Sequence, residues 1–232
     1  PTPPAGEEAV AAARKSTYPV AMQIVAPDWV HKWDRAGVLL KVGGSKERMR
    51  LFFEQEGWPA VTTDADELIK VLQKAKTDCY MRIVESGELP LRPGVARLVD
   101  EAIASGVKLA VCSTSNERAV NAVVETLLGT RRKARFSVIL AGDVVSRKKP
   151  DPEIYALVLE RLGIAPTEGV VIEDNRNGLL AAKGAGLHCV VTTNGYTQDE
   201  DFSEADLVVS ELGDPPNVRV DLATLRDIIE TG

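Results

Sequence analysis

What the chain has little of narrows its class first. It holds only three cysteines, Cys79, Cys112 and Cys189, far apart in sequence. Cys112 and Cys189 sit inside apolar runs, so buried free thiols are expected rather than disulfides or a thiolate metal site. That usage suits a reducing compartment. Positive charge is not in excess: the net charge is -6, without the basic face a nucleic-acid binder presents. No apolar run approaches the roughly 20 residues needed to span a bilayer. No Gly-x-Gly-x-x-Gly follows a strand-like run, which argues against an ordinary dinucleotide-binding domain. No internal repeat is visible. Pro1 to Ala13 is rich in Pro, Ala and Glu and lacks the basic start and apolar core of a signal peptide. It fits a linker or the remainder of a cleaved leader.

What is present is an ordinary globular composition, 44% hydrophobic and 27% charged, in 232 residues. That length supports one sizeable core and a smaller subdomain. The texture changes along the chain. Up to about Gly87 the pattern is helical, with helix-spaced apolar residues at 47–53 and 66–72. Ser45 is a candidate N-cap for the first, and Gly57 with Pro59 ends it. From Leu89 onward apolar runs at 107–112, 138–141, 170–172, 189–192 and 207–209 alternate with helical segments at 95–104, 117–128, 153–162 and 178–185. Short apolar strands separated by helices predict a doubly wound parallel α/β sheet covered on both faces, with ligands beyond the carboxyl ends of the strands. The division expected is a tail or cap start over 1–18, a helical cap region over 19–87, and an α/β core over 88–232.

Three strand ends carry chemistry. The run ending at Cys112 leads into Ser113-Thr114-Ser115-Asn116, where a hydroxyl before a helix suits a phosphate oxygen or, more simply, an N-cap cluster. Arg147-Lys148-Lys149-Pro150-Asp151-Pro152 is a loop stiffened by two prolines. It either aims Lys149 at a phosphoryl group or is a basic surface turn. Val170-Val171-Ile172 leads straight into Glu173-Asp174, two carboxylates that are costly unless they meet a cation or cap a helix. One or two such oxygen ligands with waters and a substrate phosphate describe a magnesium site, whereas Asp174 as an N-cap is the plainer alternative. Gly178 lets the next helix approach closely. The two histidines do not extend the set: His31 lies in the cap region and His188 begins a different strand, so Ser113 has no evident base.

In this order the hydroxyl, the lysine before proline and the acidic pair resemble the second, third and fourth motifs of the haloacid dehalogenase-like (HAD) superfamily. Pro93-Gly94-Val95, Ala141-Gly142-Asp143, Lys149 through Tyr155, and Ala181-Ala182-Lys183-Gly184-Ala185-Gly186 are similar to it as well. The upstream segments Lys41-Val42-Gly43-Gly44-Ser45-Lys46-Glu47-Arg48-Met49 and Gly57-Trp58-Pro59 look like the CbbY-like phosphatases of plastids and photosynthetic bacteria. So do the segment from Ala110 to Asn116 and that from Gly195 to Phe202. Members of that group remove a phosphate from sugar bisphosphates such as xylulose bisphosphate, an inhibitor of Rubisco. The resemblance implies a HAD-like hydrolase fold with a helical cap and catalytic roles for Ser113, Lys149 and Asp174. It implies a phosphate site formed by Lys46, Arg48, Ser113, Thr114, Asn116 and Lys149, and a Mg2+ held through Glu173 and Asp174. Lys46 and Arg48 would hold the distal phosphate from the cap, unless they are only solvated helix charges. Ser45 stands where the group usually has a third glycine. The chloroplast stroma is the implied location, and neither nucleic acid nor a membrane is an expected partner.

One part of the pattern is missing. HAD phosphatases use an aspartate at the end of the first strand as nucleophile and a second, two residues later, as acid and base. The first also helps hold the magnesium. Before the cap signature the only carboxylates are Glu7, Glu8, Asp28 and Asp34, and none makes an Asp-x-Asp pair after an apolar run. A truncated or mis-spliced chain is one explanation. If the chain folds as given, the central slot of the sheet is expected to hold residues 19–25 or a partner chain, or else to close up. Two functions follow: a sugar-bisphosphate phosphatase by descent, inactive as given, or a catalytically dead HAD-like domain kept as a binding or assembly subunit.

Overall fold

The computed structural model describes residues 20–22, 45–58, 64–87 and 89–232. The tail before residue 20, Asp28, His31 and Pro59 lie outside the described residues. Six parallel strands form one sheet: β1 Val20–Met22, β2 Leu109–Cys112, β3 Phe136–Leu140, β4 Val170–Glu173, β5 His188–Thr192 and β6 Leu207–Val209. Their order is β3-β2-β1-β4-β5-β6. The chain's own Val20–Met22 therefore fills the central slot, so neither a partner strand nor a closed gap is needed there. That segment falls within residues 19–25, the stretch expected as a replacement first strand.

The helices are α1 Ser45–Glu56, α2 Ala65–Glu85, α3 Val95–Ala104, α4 Glu117–Val123, α5 Gly129–Lys133, α6 Glu153–Leu162, α7 Arg176–Gly184 and α8 Leu222–Thr231. Ser45 is already the first helical residue of α1, one position inside the expected cap. Gly57 does close that helix, with a positive φ of 98° and its N–H on the Phe53 carbonyl at 3.0 Å. A π-helical turn, Val124–Leu128, joins α4 to α5 where one regular helix was expected.

Strand periodicity sorts the core into two layers. Leu109, Val111, Val170, Ile172 and Val190 face α3 and α8, packing with Leu98, Val99 and Leu225. Ala110, Cys112, Val171, Cys189 and Val191 point the other way onto α6 and α7, meeting Ile154, Tyr155, Val158 and Leu179. Both faces are covered, as runs of consecutive apolar residues require. Cys112 and Cys189 are free, buried thiols, and burial pushes the Cys112 thiol up to about 12. A third apolar cluster, Val84, Leu89 and Val123 with Tyr80 and Leu127, seats the carboxyl end of α2 on α4 and the π turn. Among the described residues no helix is long and apolar enough to cross a membrane.

Candidate active site

The chemistry gathers at the carboxyl ends of β2 and β4. Lys149 sits in the loop after β3, where the Lys149–Pro150 peptide is cis. Its ammonium donates to the Cys112 carbonyl at 3.0 Å, to the Tyr155 hydroxyl at 3.0 Å and to Glu173 Oε1 at 2.5 Å. It also stands over the Tyr155 ring, 4.7 Å from its centre. Tyr155, on the first turn of α6, donates its hydroxyl to the same Glu173 oxygen. Lys149 is 8% exposed, Tyr155 1% and Glu173 0%, so this is a buried cluster and not a basic surface turn.

The strand register gives that cluster its meaning. Ala21 is level with Ala110 on one side and Val171 on the other, and Met22 is level with Ile172. The described end of β1 therefore stops one residue short of the level of Cys112 and Glu173, the two residues that Lys149 bridges. In the sequence Met22 is followed by Gln23, Ile24, Val25, Ala26 and Pro27, all neutral, with Asp28 the next carboxylate; these residues lie outside the described ones.

Glu173 is held on every side. Its Oε2 is buried and has no hydrogen-bond partner. A Cβ placed on Gly178 would stand 2.0 Å from that oxygen, so Gly178 makes room for the Glu173 carboxylate as well as for α7. Burial raises the Glu173 carboxyl above the ordinary range, and the Lys149 ammonium and Tyr155 hydroxyl pull against that rise. Burial, then the Glu173 charge, holds Tyr155 well above the usual phenol value. Asp174 is buried too, yet it does not cap α7. Asn175 does, its side chain accepting from the Gly178 N–H at 2.9 Å, while its amide donates to Asp174 Oδ1 at 2.7 Å. The plainer N-cap reading of Asp174 is thereby replaced.

At the end of β2, Ser113 is half-buried and its hydroxyl accepts from the Ser115 N–H at 3.2 Å. Its own N–H extends the ladder to the Leu140 carbonyl at 2.9 Å. Thr114 is half-buried beside it and Asn116 is exposed. Asn116 caps α4, accepting from Ala119 N–H at 3.3 Å, so its side-chain oxygen is engaged as the plainer reading had it. Lys46 is exposed on α1, and its charge, after the Lys148 contact, helps hold the Asp143 carboxyl low. Arg48 lies on α1, and its side chain is outside the described residues.

The lysine loop is itself fastened. Glu153 accepts from the Ser146 and Arg147 N–H groups at 3.0 and 2.9 Å, which lowers its carboxyl to about 2. A cavity of about 460 Å³ between α2 and α4 is lined by Met81, Arg82, Glu85 and Arg118 among others, and includes neither Lys149 nor Asp174.

For a cation, the carboxylates of Asp174 and Glu173 are hard-oxygen donors of the kind magnesium takes, although Glu173 Oε2 is buried against Gly178. Among the described residues no group of three or more metal-binding side chains forms. The donors present fit such an ion in kind and fall short in number. Sequence reasoning found Lys149, Glu173, Asp174 and Gly178 but not Tyr155, whose place in the apolar stripe of α6 reads as core. Its signal is its place at the end of the family-like segment from Lys149 to Tyr155, six residues after the lysine.

A parallel sheet in this order, with a lysine bridging the strand ends on either side of the central strand, defines a haloacid dehalogenase-like hydrolase. That family's model matches residues 4–186, and the chain belongs to it. Within the family it is 55% identical over 194 residues to a CBBY-like protein of Arabidopsis thaliana, covering 82% of this chain and 60% of that relative. It is 42% identical over 192 residues to protein CbbY of Cereibacter sphaeroides, covering 80% of each. The crystal structure of CbbY from Rhodobacter sphaeroides in complex with phosphate superposes with a TM-score of 0.78 at 34% identity, covering 90% of this chain and 99% of that one. A mutant of the same protein in complex with xylulose-(1,5)bisphosphate matches equally well. The chain spans 60% of the length of the first plant relative and 62% of that of a second, also from Arabidopsis thaliana.

Proposed function

We propose that this chain binds a sugar bisphosphate of the xylulose bisphosphate type at the carboxyl end of its sheet and, as given, does not hydrolyse it. The observation that carries the reading is the span of Lys149 from Cys112 to Glu173 across the end of β1. A cation there stands near the carboxyl end of the central strand, where the resemblance would put a HAD nucleophile, and the sequence that follows Met22 is neutral.

The residues present can bind and neutralise. Lys149 offers charge-assisted donation to a phosphoryl oxygen, and Ser113 and Thr114 offer hydroxyls and backbone N–H groups beside it. Lys46 and Arg48 on α1 would take the distal phosphate, with the division at residue 87 separating cap from core. Asp174, with Glu173 behind it, would hold magnesium weakly. The ion would supply charge neutralisation on the phosphoryl group when bound. No described side chain is placed as a nucleophile that could form a covalent phosphoryl intermediate. The likeness to bisphosphate-bound CbbY supports the ligand class, and the plant relative supports a chloroplast location.

The test is the melting temperature with and without xylulose 1,5-bisphosphate. A rise is expected for the wild type. It is expected to vanish in the double variant Lys149→Met/Glu173→Gln, which removes the cation without stranding a buried carboxylate. No rise in the wild type would contradict the binding role and leave an assembly subunit as the better account.

A further inference from the structure

We infer that Tyr155 is a positioning residue for the anion site: its hydroxyl shares the charge of Glu173 and so leaves Lys149 able to turn toward a phosphate. The inference rests on the anion-binding reading above and names a part of that site.

Three groups meet at one carboxylate oxygen. Glu173 Oε1 accepts from Lys149 at 2.5 Å and from the Tyr155 hydroxyl, while Lys149 also donates to the Tyr155 oxygen at 3.0 Å. The triangle is closed, because the phenol donates to one partner and accepts from the other. Glu173 is fully buried and its second oxygen has no hydrogen-bond partner, so the carboxylate depends on these two donors. Buried carboxylates are costly without such compensation. Gly178 lies against the second oxygen, where an added Cβ would stand 2.0 Å from it.

The consequence is a division of labour. With the hydroxyl present, Lys149 is one of two donors to Glu173, so an incoming phosphate oxygen can displace one of the ammonium's three acceptors without leaving the carboxylate unpaired. Without it Lys149 becomes the sole donor and is held inward. A hydrogen bond to a charged group is a large fraction of such a balance. The phenyl ring is a separate matter: it packs among Ile154, Val158 and Leu179 and fills the core whether or not it bears oxygen. Tyr155→Phe therefore separates the two roles.

The experiment compares the wild type with Tyr155→Phe by nitrogen-detected NMR of the lysine side chains and by calorimetric titration with inorganic phosphate. The Lys149 ammonium signal, assigned by its loss in the Lys149→Met/Glu173→Gln variant, is expected in slow solvent exchange in the wild type. In Tyr155→Phe its exchange or chemical shift should change, and phosphate binding should weaken roughly tenfold. An unchanged Lys149 signal with unchanged affinity would overturn the inference, since a purely packing role moves neither. If the wild type binds no phosphate, the binding proposal fails, while the Lys149 signal still decides the role of Tyr155. If Tyr155→Phe does not fold, the wild-type Tyr155 hydroxyl proton decides. It should be visible in slow exchange with close contacts to the Lys149 side chain, and its absence would overturn the inference.

Discussion

At the scale of single residues, the site is a buried charge pair, and such pairs respond asymmetrically to mutation. Removing one member strands the other, a loss of about 3–5 kcal/mol. Lys149→Met is therefore expected to lower stability by about that much in denaturant titration, and Lys149→Met/Glu173→Gln to recover most of it. Equal destabilisation by both would mean that Glu173 finds another partner. Gly178→Ala is expected to cost about 1–3 kcal/mol or more by overpacking, because the new methyl would meet a carboxylate that cannot move. Glu153 gives the pH dependence. Its folded value is depressed from 4.5 to about 2, so its contribution is present above pH 4.5 and is lost as pH falls toward about 2. Melting temperatures of the wild type and Glu153→Gln should differ above pH 4.5 and converge toward pH 2. Lys149, Glu173 and Asp174 were legible in the sequence because each follows a strand in a fixed order. Tyr155 was not, because a tyrosine in an apolar helix stripe announces packing, and only three-dimensional proximity turns its hydroxyl to the pair.

At the scale of elements, α3, α6 and β6 stand at their expected limits and β2 through β5 lie within two residues of theirs; β2, β4 and β5 are buried almost throughout, which leaves strong apolar runs. The π turn at Val124–Leu128 was not legible: it keeps helical spacing in the sequence, and one residue of extra winding leaves no compositional mark. Residues 19–25 read as a strand-like run that could fill the central slot, but the sequence left a partner chain or a closed gap as alternatives. The placement of β1 comes from the ladder, in which it pairs with β2 and β4 at once. Ala21→Pro tests this directly. A proline in a strand bonded on both sides removes a donor and leaves a carbonyl unmet, for about 1–3 kcal/mol. A melting temperature unchanged by Ala21→Pro would place that segment outside the sheet.

At the scale of the whole molecule, the sheet and its helices are those of a haloacid dehalogenase-like hydrolase, with Lys149, Glu173 and Asp174 at the strand ends. On the proposed reading such a protein would recognise a phosphate without hydrolysing it. The most direct test is phosphate release from xylulose 1,5-bisphosphate by the chain as given, with saturating magnesium. The account predicts no release above the uncatalysed background. Release at about 1 per second or faster, in the range of working enzymes, would contradict it and require a nucleophile elsewhere in the site.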